Sequence, residues 1–416
     1  MSEQANSTSV GARLLRAIGP GLVTACVVIG PGSILTSSKL GADEGYSKIW
    51  VVVISVIVMM TYVNLGMRLG VVTQQSNGEL VSKHIHRAAS VLIGLSVFFI
   101  SAAFQFGNNL GAHSALSTYI DFPYWPVALN ALVLAVLFGF RNLYTFVERA
   151  MAGFVALMLL AFAINLGFSK PDPGEFFRGF IPLAGSSEIG LPLLGLIGTT
   201  FVISAAYYQS YLVRFKGWQE RDLRRGVIDS RVSATIMGVI TIMIMSTAAS
   251  VLRGADLQGV GDVANSLKPL FGEKGRAIFC LGLFSAAFSS FIVNSMIGGF
   301  ILSDALRLGS TPQDRWPRLM TAAVLLIGMG VALYVIETGI KPVPAIVAAQ
   351  AVTVLAAPLI AGAMLWLTNL KSVMGEHRNG VFVNLLAGFG LVLLLGMSLY
   401  TATEKVLPAI GLGGGQ

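Results

Sequence analysis

Two stretches of the chain set polar or helix-breaking residues inside otherwise apolar runs. The first is Val28-Ile29-Gly30-Pro31-Gly32-Ser33. The second joins Ile197-Gly198-Thr199-Thr200 to Ser204-Ala205-Ala206-Tyr207-Tyr208-Gln209-Ser210. Proline removes a backbone donor and clashes with the preceding turn, so the first stretch predicts a helix break that frees carbonyl groups. Freed backbone groups at membrane depth are tolerated only where they line a cavity. The chemistry on offer is neutral oxygen: carbonyls at Gly30 and around Ile203 and Ala206, with the side chains of Ser33, Tyr208, Gln209, Gln350, Gln105 and Asn108. Such groups suit a weakly held solute that is either a hard cation or neutral, because oxygen favours hard metals and sulfur favours soft ones.

Each of these residues also has a plainer role. Glycine and proline are common in membrane helices, and a proline kink can serve packing alone. Gln350 could make one interhelical hydrogen bond. Gln105 and Asn108 lie one turn apart on one helix face, where they could line a path or cross-link helices. Asp43 and Glu44 follow the first span on the outside, where they could draw cations to an entrance or form a solvated loop. No acid or base is expected near the middle of a span: Glu148, Asp229, Asp304, Arg307 and Glu337 fall near span ends, and His113 near the outer end of its span. A buried charge usually marks an ion or proton path. Its absence argues against a carboxylate relay and against a carboxylate cage for a bare divalent ion.

The elements that must position these groups are membrane helices. The chain of 416 residues is 55% hydrophobic and 12% charged, against about 25% charged in a soluble domain. Apolar runs predict an all-α integral membrane protein with about eleven spans. They cover roughly 17–39, 48–70, 89–118, 124–140, 148–168, 189–213, 228–252, 275–305, 318–336, 342–368 and 380–402. Interrupted segments at matching places in two halves are the mark of inverted-repeat transporters. The reading is therefore one membrane domain over 1–416: a segment 1–16, a first repeat over about 17–168, a second over about 189–368 and an extra helix near 380–402. Lys and Arg are denser in the loops that are inside if the N-terminus is cytoplasmic. That places the C-terminus on the other side, and makes Phe215 to Arg231 an inside stretch that could lie on the membrane surface.

The net charge of +8 follows from this bias and calls for no nucleic-acid partner. Cys26 and Cys280 both fall in apolar spans, which excludes a disulfide framework. His84, His86 and His377 are too few and too far apart for a metal site. No phosphate-cradling GxxxxGK[ST], Ser-His-Asp or HExxH arrangement is present. The chain reads as a non-enzyme without cofactor, in a prokaryotic inner membrane, its partners the lipid bilayer and the transported solute, with a monomer expected. Its N-terminal stretch lacks the form of a cleavable signal.

These residues carry a family resemblance. Gly19-Pro20-Gly21, the Gly30-Pro31-Gly32-Ser33 break and Gly41-Ala42 with Gly45-Tyr46 resemble the first helix of the Nramp metal-ion transporters. "MRLGVVT" (Met67 to Thr73) resembles the end of their second helix, and "YYQSYL" (Tyr207 to Leu212) falls at the metal-binding motif of their sixth. "NSMIGGFIL" (Asn294 to Leu302) with "RWPRLMT" resembles the turn from eighth to ninth, and Gln350 ahead of Pro358 resembles their tenth. The resemblance implies a LeuT-type 5+5 inverted-repeat fold with helices 1 and 6 discontinuous.

The departures narrow it. Where the usual members carry Asp and Asn in helix one, this chain has Gly30 and Ser33. Their methionine and histidine in helix six fall on Ala206 and Tyr208, and their acidic pair in helix three on Gln105 and Asn108. A divergent branch, the Nramp-related magnesium transporters, is similar in these losses. The resemblance thus implies Mg²⁺ as substrate, with Mn²⁺ second, carried largely hydrated by alternating access without proton coupling. Mg²⁺ dehydrates reluctantly and keeps several waters, which a roomy neutral pocket can hold. A proton-coupled Mn²⁺ or Fe²⁺ carrier and an organic-solute or amino-acid carrier of the same fold are the alternatives.

Overall fold

The structure, a computed structural model, describes residues 19–140, 143–182, 191–257, 260–340 and 353–406. The described residues are helical with short connections. The first expected span is two helices, α1 (Pro20–Val28) and α2 (Pro31–Glu44), bent by 53°. There follow α3 (Ile49–Thr73), α4 (Asn77–His84), α5 (Arg87–Ser117), α6 (Trp125–Gly139), α7 (Leu143–Ser169) and α8 (Pro173–Arg178). The sixth span is again divided, into α9 (Leu191–Thr200) and α10 (Ile203–Phe215). Next come α11 (Leu223–Val251), α12 (Val260–Ala305), α13 (Arg315–Thr338), α14 (Ala357–Asn369), the short α15 (Lys371–Met374) and α16 (Val381–Thr401).

Among the described residues, seven helices are long and apolar enough to cross a membrane, and two bent pairs would make nine. The shorter α6 and the α9–α10 pair occupy the expected fourth and sixth spans. Phe215 to Arg231 is not a separate surface helix. A turn at Glu220–Asp222 leads straight into α11, whose first residues carry the basic charge. Gly272, at φ +66°, interrupts α12 and marks where its apolar crossing begins.

Lipid tails give no hydrophobic drive to join helices, so small residues that allow close approach fix the packing. Gly66 and Gly70, four apart on one face of α3, lie against the carbonyls of Ala206 and Ser210 on α10. Gly41 of α2 lies against the Met245 carbonyl of α11, and Gly298 and Gly299 of α12 against Ser101 and Thr321. Helix α12 packs chiefly on α5, α13 and α7, while α1 sits among α7, α10, α11 and α12. Helix α16 lies at the periphery, with Leu385, Val392 and Leu399 exposed as a lipid-facing side chain should be. It is pinned at one end. Asn369 and Asn384 exchange amide hydrogen bonds of 2.9 and 2.7 Å, and Arg68 of α3 donates to Asn379 Oδ1 at 3.1 Å and to the Arg378 carbonyl at 3.2 Å.

Candidate functional site at the paired helix breaks

At the first break, Gly30 is extended (φ −106°, ψ 176°), as a residue before proline tends to be, and Pro31 takes the first position of α2. Residue 31 has no N–H, so the Val27 carbonyl loses its normal helical donor. At the second break the chain leaves the helix at Phe201-Val202, with no proline to enforce it. Neither Gly30 nor Val202 caps its helix through a side chain. Both breaks are fully buried.

Two side-chain contacts bracket the breaks. Thr24 Oγ1 of α1 donates to Gln209 Oε1 of α10 at 2.5 Å, and Thr36 Oγ1 of α2 lies 3.4 Å from Thr199 Oγ1 of α9. The four helix ends therefore meet between these contacts. The C-terminal ends of α1 and α9 present carbonyls and partial negative charge. The N-terminal ends of α2 and α10 present N–H groups and partial positive charge. Such a junction can offer acceptors to a cation or its water shell, and donors to water oxygens or an anion.

Neutral side chains complete the surroundings. A methyl group on Gly30 would meet Asn108 Oδ1 at 3.3 Å and Ser290 Oγ at 3.4 Å, so both reach the break. Asn108 Nδ2 donates to Ser290 Oγ at 3.1 Å and to Gln105 Oε1 at 3.2 Å. Gln105 stands one bond further out, packed on Gly328 of α13. Several buried polar atoms have no hydrogen-bond partner among the described residues: Ser33 Oγ, Ser37 Oγ, Thr200 Oγ1, Gln105 Nε2 and Gln209 Nε2. Buried polar groups are normally satisfied, so atoms left open around a break are places for water or solute. Beside the second break is a small cavity of about 20 Å³, lined by Phe104, Phe201, Ile203, Ser204 and Thr353 among others. That is room for about one water.

The other sequence-derived candidates fall as follows. Ile203 opens α10 at the break. Ala206 is buried, with its carbonyl against Gly66. Tyr208 is not at the break but further along α10, stacked on Tyr211 at 5.5 Å and edge-on to Phe300, its hydroxyl without a partner among the described residues. Asp43 and Glu44 each pair with a lysine at 3.7 Å, Lys39 and Lys48 respectively, so neither is an isolated negative charge. Gln350 lies outside the described residues. Among those residues no group of three or more His, Cys, Asp or Glu side chains could hold a metal ion.

Sequence reasoning passed over Thr24, Thr36 and Ser290, and treated Asp229 and Asp304 as end-of-helix residues. Both acids are buried. Asp229 of α11 accepts from Gly19 N at 2.8 Å and Gly21 N at 2.7 Å, capping the N-terminus of α1. Asp304 of α12 accepts from Gly78 N at 2.7 Å and from Tyr211 OH at 2.5 Å, tying α4 and α10 to α12. These carboxylates hold the half-helices from their far ends and do not reach the break. A signal did exist for Asp229: an acid six spans on from a Gly-Pro-Gly helix start that lacks a capping side chain of its own.

A protein-family model, described as natural resistance-associated macrophage protein-like, matches residues 21–404. The chain is 24% identical over 404 residues to the divalent metal cation transporter MntH of Pectobacterium carotovorum, covering 94% of this chain and 95% of that one. It is 26% identical over 393 residues to MntH of Verminephrobacter eiseniae, covering 90% and 86%. Among solved structures, it resembles a mutant of the Eremococcus coleocola manganese transporter with a TM-score of 0.80 at 19% identity, covering 99% of this chain and 90% of that one. A Na⁺-coupled sialic acid symporter follows at TM-score 0.55 and 12% identity, covering 92% and 90%. These likenesses show the fold: all-helical and LeuT-like.

Proposed function

Because the chain belongs to the natural resistance-associated macrophage protein-like family, we propose that it carries a divalent metal cation across a membrane and that the cation is Mg²⁺, held largely hydrated, with Mn²⁺ second. The observation that carries the choice is the furnishing of the break. Its polar atoms are backbone carbonyls, the hydroxyls of Ser33, Thr200 and Ser290, and the amide of Asn108. Neutral oxygens bind a bare divalent ion weakly but can hold an ion that keeps its waters. Gly30, Ser33, Ile203, Ala206, Gln209 and Gln350 form the proposed site, and Asn108 and Gln105 its flank.

The cavity beside the break has room for about one water. A hydrated ion can then enter only when the half-helices move. This supports alternating access by rocking of α1–α2 and α9–α10 against the remaining helices, with inverted repeats over about 17–168 and 189–368. Inward movement of positive charge gains about 2.3 kcal/mol per elementary charge per 100 mV, so no proton gradient is needed. With Gln105 and Asn108 where a proton relay would need acids, the chain is a uniporter in this reading. The membrane is a prokaryotic inner membrane, with the N-terminus cytoplasmic.

Two observations favour other readings. The curated relatives are named for divalent metals in general and the solved neighbour for manganese, which favours a proton-coupled transition-metal carrier. The symporter likeness and the uncapped N-termini of α2 and α10 would suit an organic anion. Purified protein in liposomes holding a Mg²⁺ dye and a pH dye, with an imposed inside-negative potential, separates them. Mg²⁺ entry without acidification is expected. Mn²⁺ entry with acidification and no Mg²⁺ entry overturns the proposal.

A further inference from the structure

The end of α6 and the start of α13 enclose an open hollow of about 550 Å³, lined by Phe138, Phe140, Gln313, Arg315 and Arg318. A second hollow of about 610 Å³ lies on the other side of Phe140 and includes Arg149. Between them Phe140 stacks on Phe146 at 4.3 Å, forming an aromatic ridge with arginines on both flanks. Phe138 is 50% exposed and Phe140 43%, so an apolar wall stands open beside the charges.

The arginines are not neutralised by the described residues. Among the described residues Arg149 and Arg315 form no ion pair, and Arg318 spends only its Nε, donating to the Pro312 carbonyl at 2.7 Å. The nearby acids are engaged elsewhere. Glu148 is bound to Lys216, its Oε1 2.7 Å from Nζ, and Asp314 Oδ2 accepts from Ser310 N at 3.0 Å and Thr311 N at 2.9 Å. On the topology proposed above, α6 ends and α13 begins at the cytoplasmic face, where anionic lipids attract juxtamembrane basic residues. An arginine fork matches phosphate geometry, and the exposed phenylalanines match an acyl chain.

We propose that this groove is a binding site for an anionic phospholipid of the cytoplasmic leaflet. Its phosphate lies against Arg315 and Arg318, with Arg149 across the Phe140 ridge, and its acyl chain lies along Phe138. The apolar wall selects a lipid over a soluble phosphate. The assignment of leaflet rests on the proposed topology; the site itself does not depend on which ion is carried, because its readout is lipid and not transport.

The test is native mass spectrometry of detergent-purified protein titrated with phosphatidylglycerol, phosphatidylcholine or inorganic phosphate. Selective retention of phosphatidylglycerol is expected. Each arginine near an anionic surface contributes roughly a fivefold gain in affinity, so Arg149→Gln, Arg315→Gln and Arg318→Gln together should weaken retention by about a hundredfold. Arg224→Gln with Arg231→Gln, exposed on α11 and lining neither hollow, should leave it unchanged. Should the triple variant fail to fold, Arg315→Gln alone should still show the single fivefold loss. Equal retention of both lipids, equal loss in the α11 control, or competition by inorganic phosphate would each overturn the proposal.

Discussion

Thr24 Oγ1 donates to Gln209 Oε1 at 2.5 Å, with both residues buried, so the two halves α1 and α10 are joined by one short side-chain bond. The bond lies on one side of both breaks, opposite the Thr36–Thr199 contact. If α1 and α10 part during transport, this bond must open. Thr24→Val keeps the shape and removes the donor. It leaves Gln209 with both amide atoms unpaired among the described residues, because Nε2 already lacks a partner. An orphaned buried polar group costs about 1–3 kcal/mol. The variant should favour the parted arrangement by roughly fivefold or more. Cys26 on α1 is a native reporter, buried with its Sγ 3.6 Å from the Met151 carbonyl. In a Cys280→Ala background, Thr24→Val should raise the rate of Cys26 alkylation. An unchanged rate would mean that this bond does not hold α1 and α10 together.

Ser33→Ala should lower Mg²⁺ uptake severalfold while leaving thermal stability intact. The Ser33 hydroxyl is buried without a partner among the described residues, so removing it breaks no hydrogen bond among them. It even relieves a desolvated group. A loss of uptake at equal or greater stability can then come only from solute or water at the break. Full uptake in the stable variant would remove Ser33 from the site.

The two breaks differ in how far the sequence announces them. Pro31 is visible as a residue that cannot continue a helix, and the interruption lies at its N-terminal side as expected. Phe201 and Val202 look like ordinary apolar helix residues, and the flanking Ile197 to Thr200 and Ser204 to Ser210 remain helical. Only the polar composition and the matching position marked that span. Tertiary packing, not local propensity, opens the helix there. The same limit explains Asp229. Its distance from its own helix end can be counted along the chain, but its hydrogen bonds run to residues 208 and 210 positions away. Gln105 and Asn108 were rightly placed on one face, yet which of them reaches the break depends on where α12 presents Ser290.

Asp229→Asn should loosen α1 from its other end. The carboxylate accepts two backbone N–H groups at the start of α1, and there is no room for rearrangement: a methyl group on Gly21 would lie 2.8 Å from Asp229 Oδ2 and 2.5 Å from Ser233 Oγ. An asparagine offers one acceptor oxygen and turns an NH₂ group toward a backbone donor. Hydrogen bonds to a charged group contribute about 1.5–3 kcal/mol, so the loss should appear both as lower thermal stability and as faster Cys26 alkylation. Glu148→Gln should not reproduce the Cys26 effect, since Glu148 binds Lys216 beyond α10 and not α1. Matching behaviour of the two variants would assign the effect to general loosening rather than to the cap of α1.

Gly66→Ala tests whether the close seam between α3 and α10 positions the second break. A methyl group at Gly66 would stand 2.1 Å from the Ala206 carbonyl oxygen, and one at Gly70 would stand 2.4 Å from that of Ser210. Backbone atoms cannot move aside as a flexible side chain can. Helix α10 must therefore shift away from α3. Overpacking of this kind costs about 1–3 kcal/mol. Since α10 carries Ile203, Ala206 and Gln209, the displacement should lower uptake as well as the melting temperature. Gly153→Ala, on α7 with nothing within 4 Å of the added methyl, should change neither. If Gly66→Ala lowers stability but transports at the wild-type rate, the seam supports the fold without setting the geometry of the break.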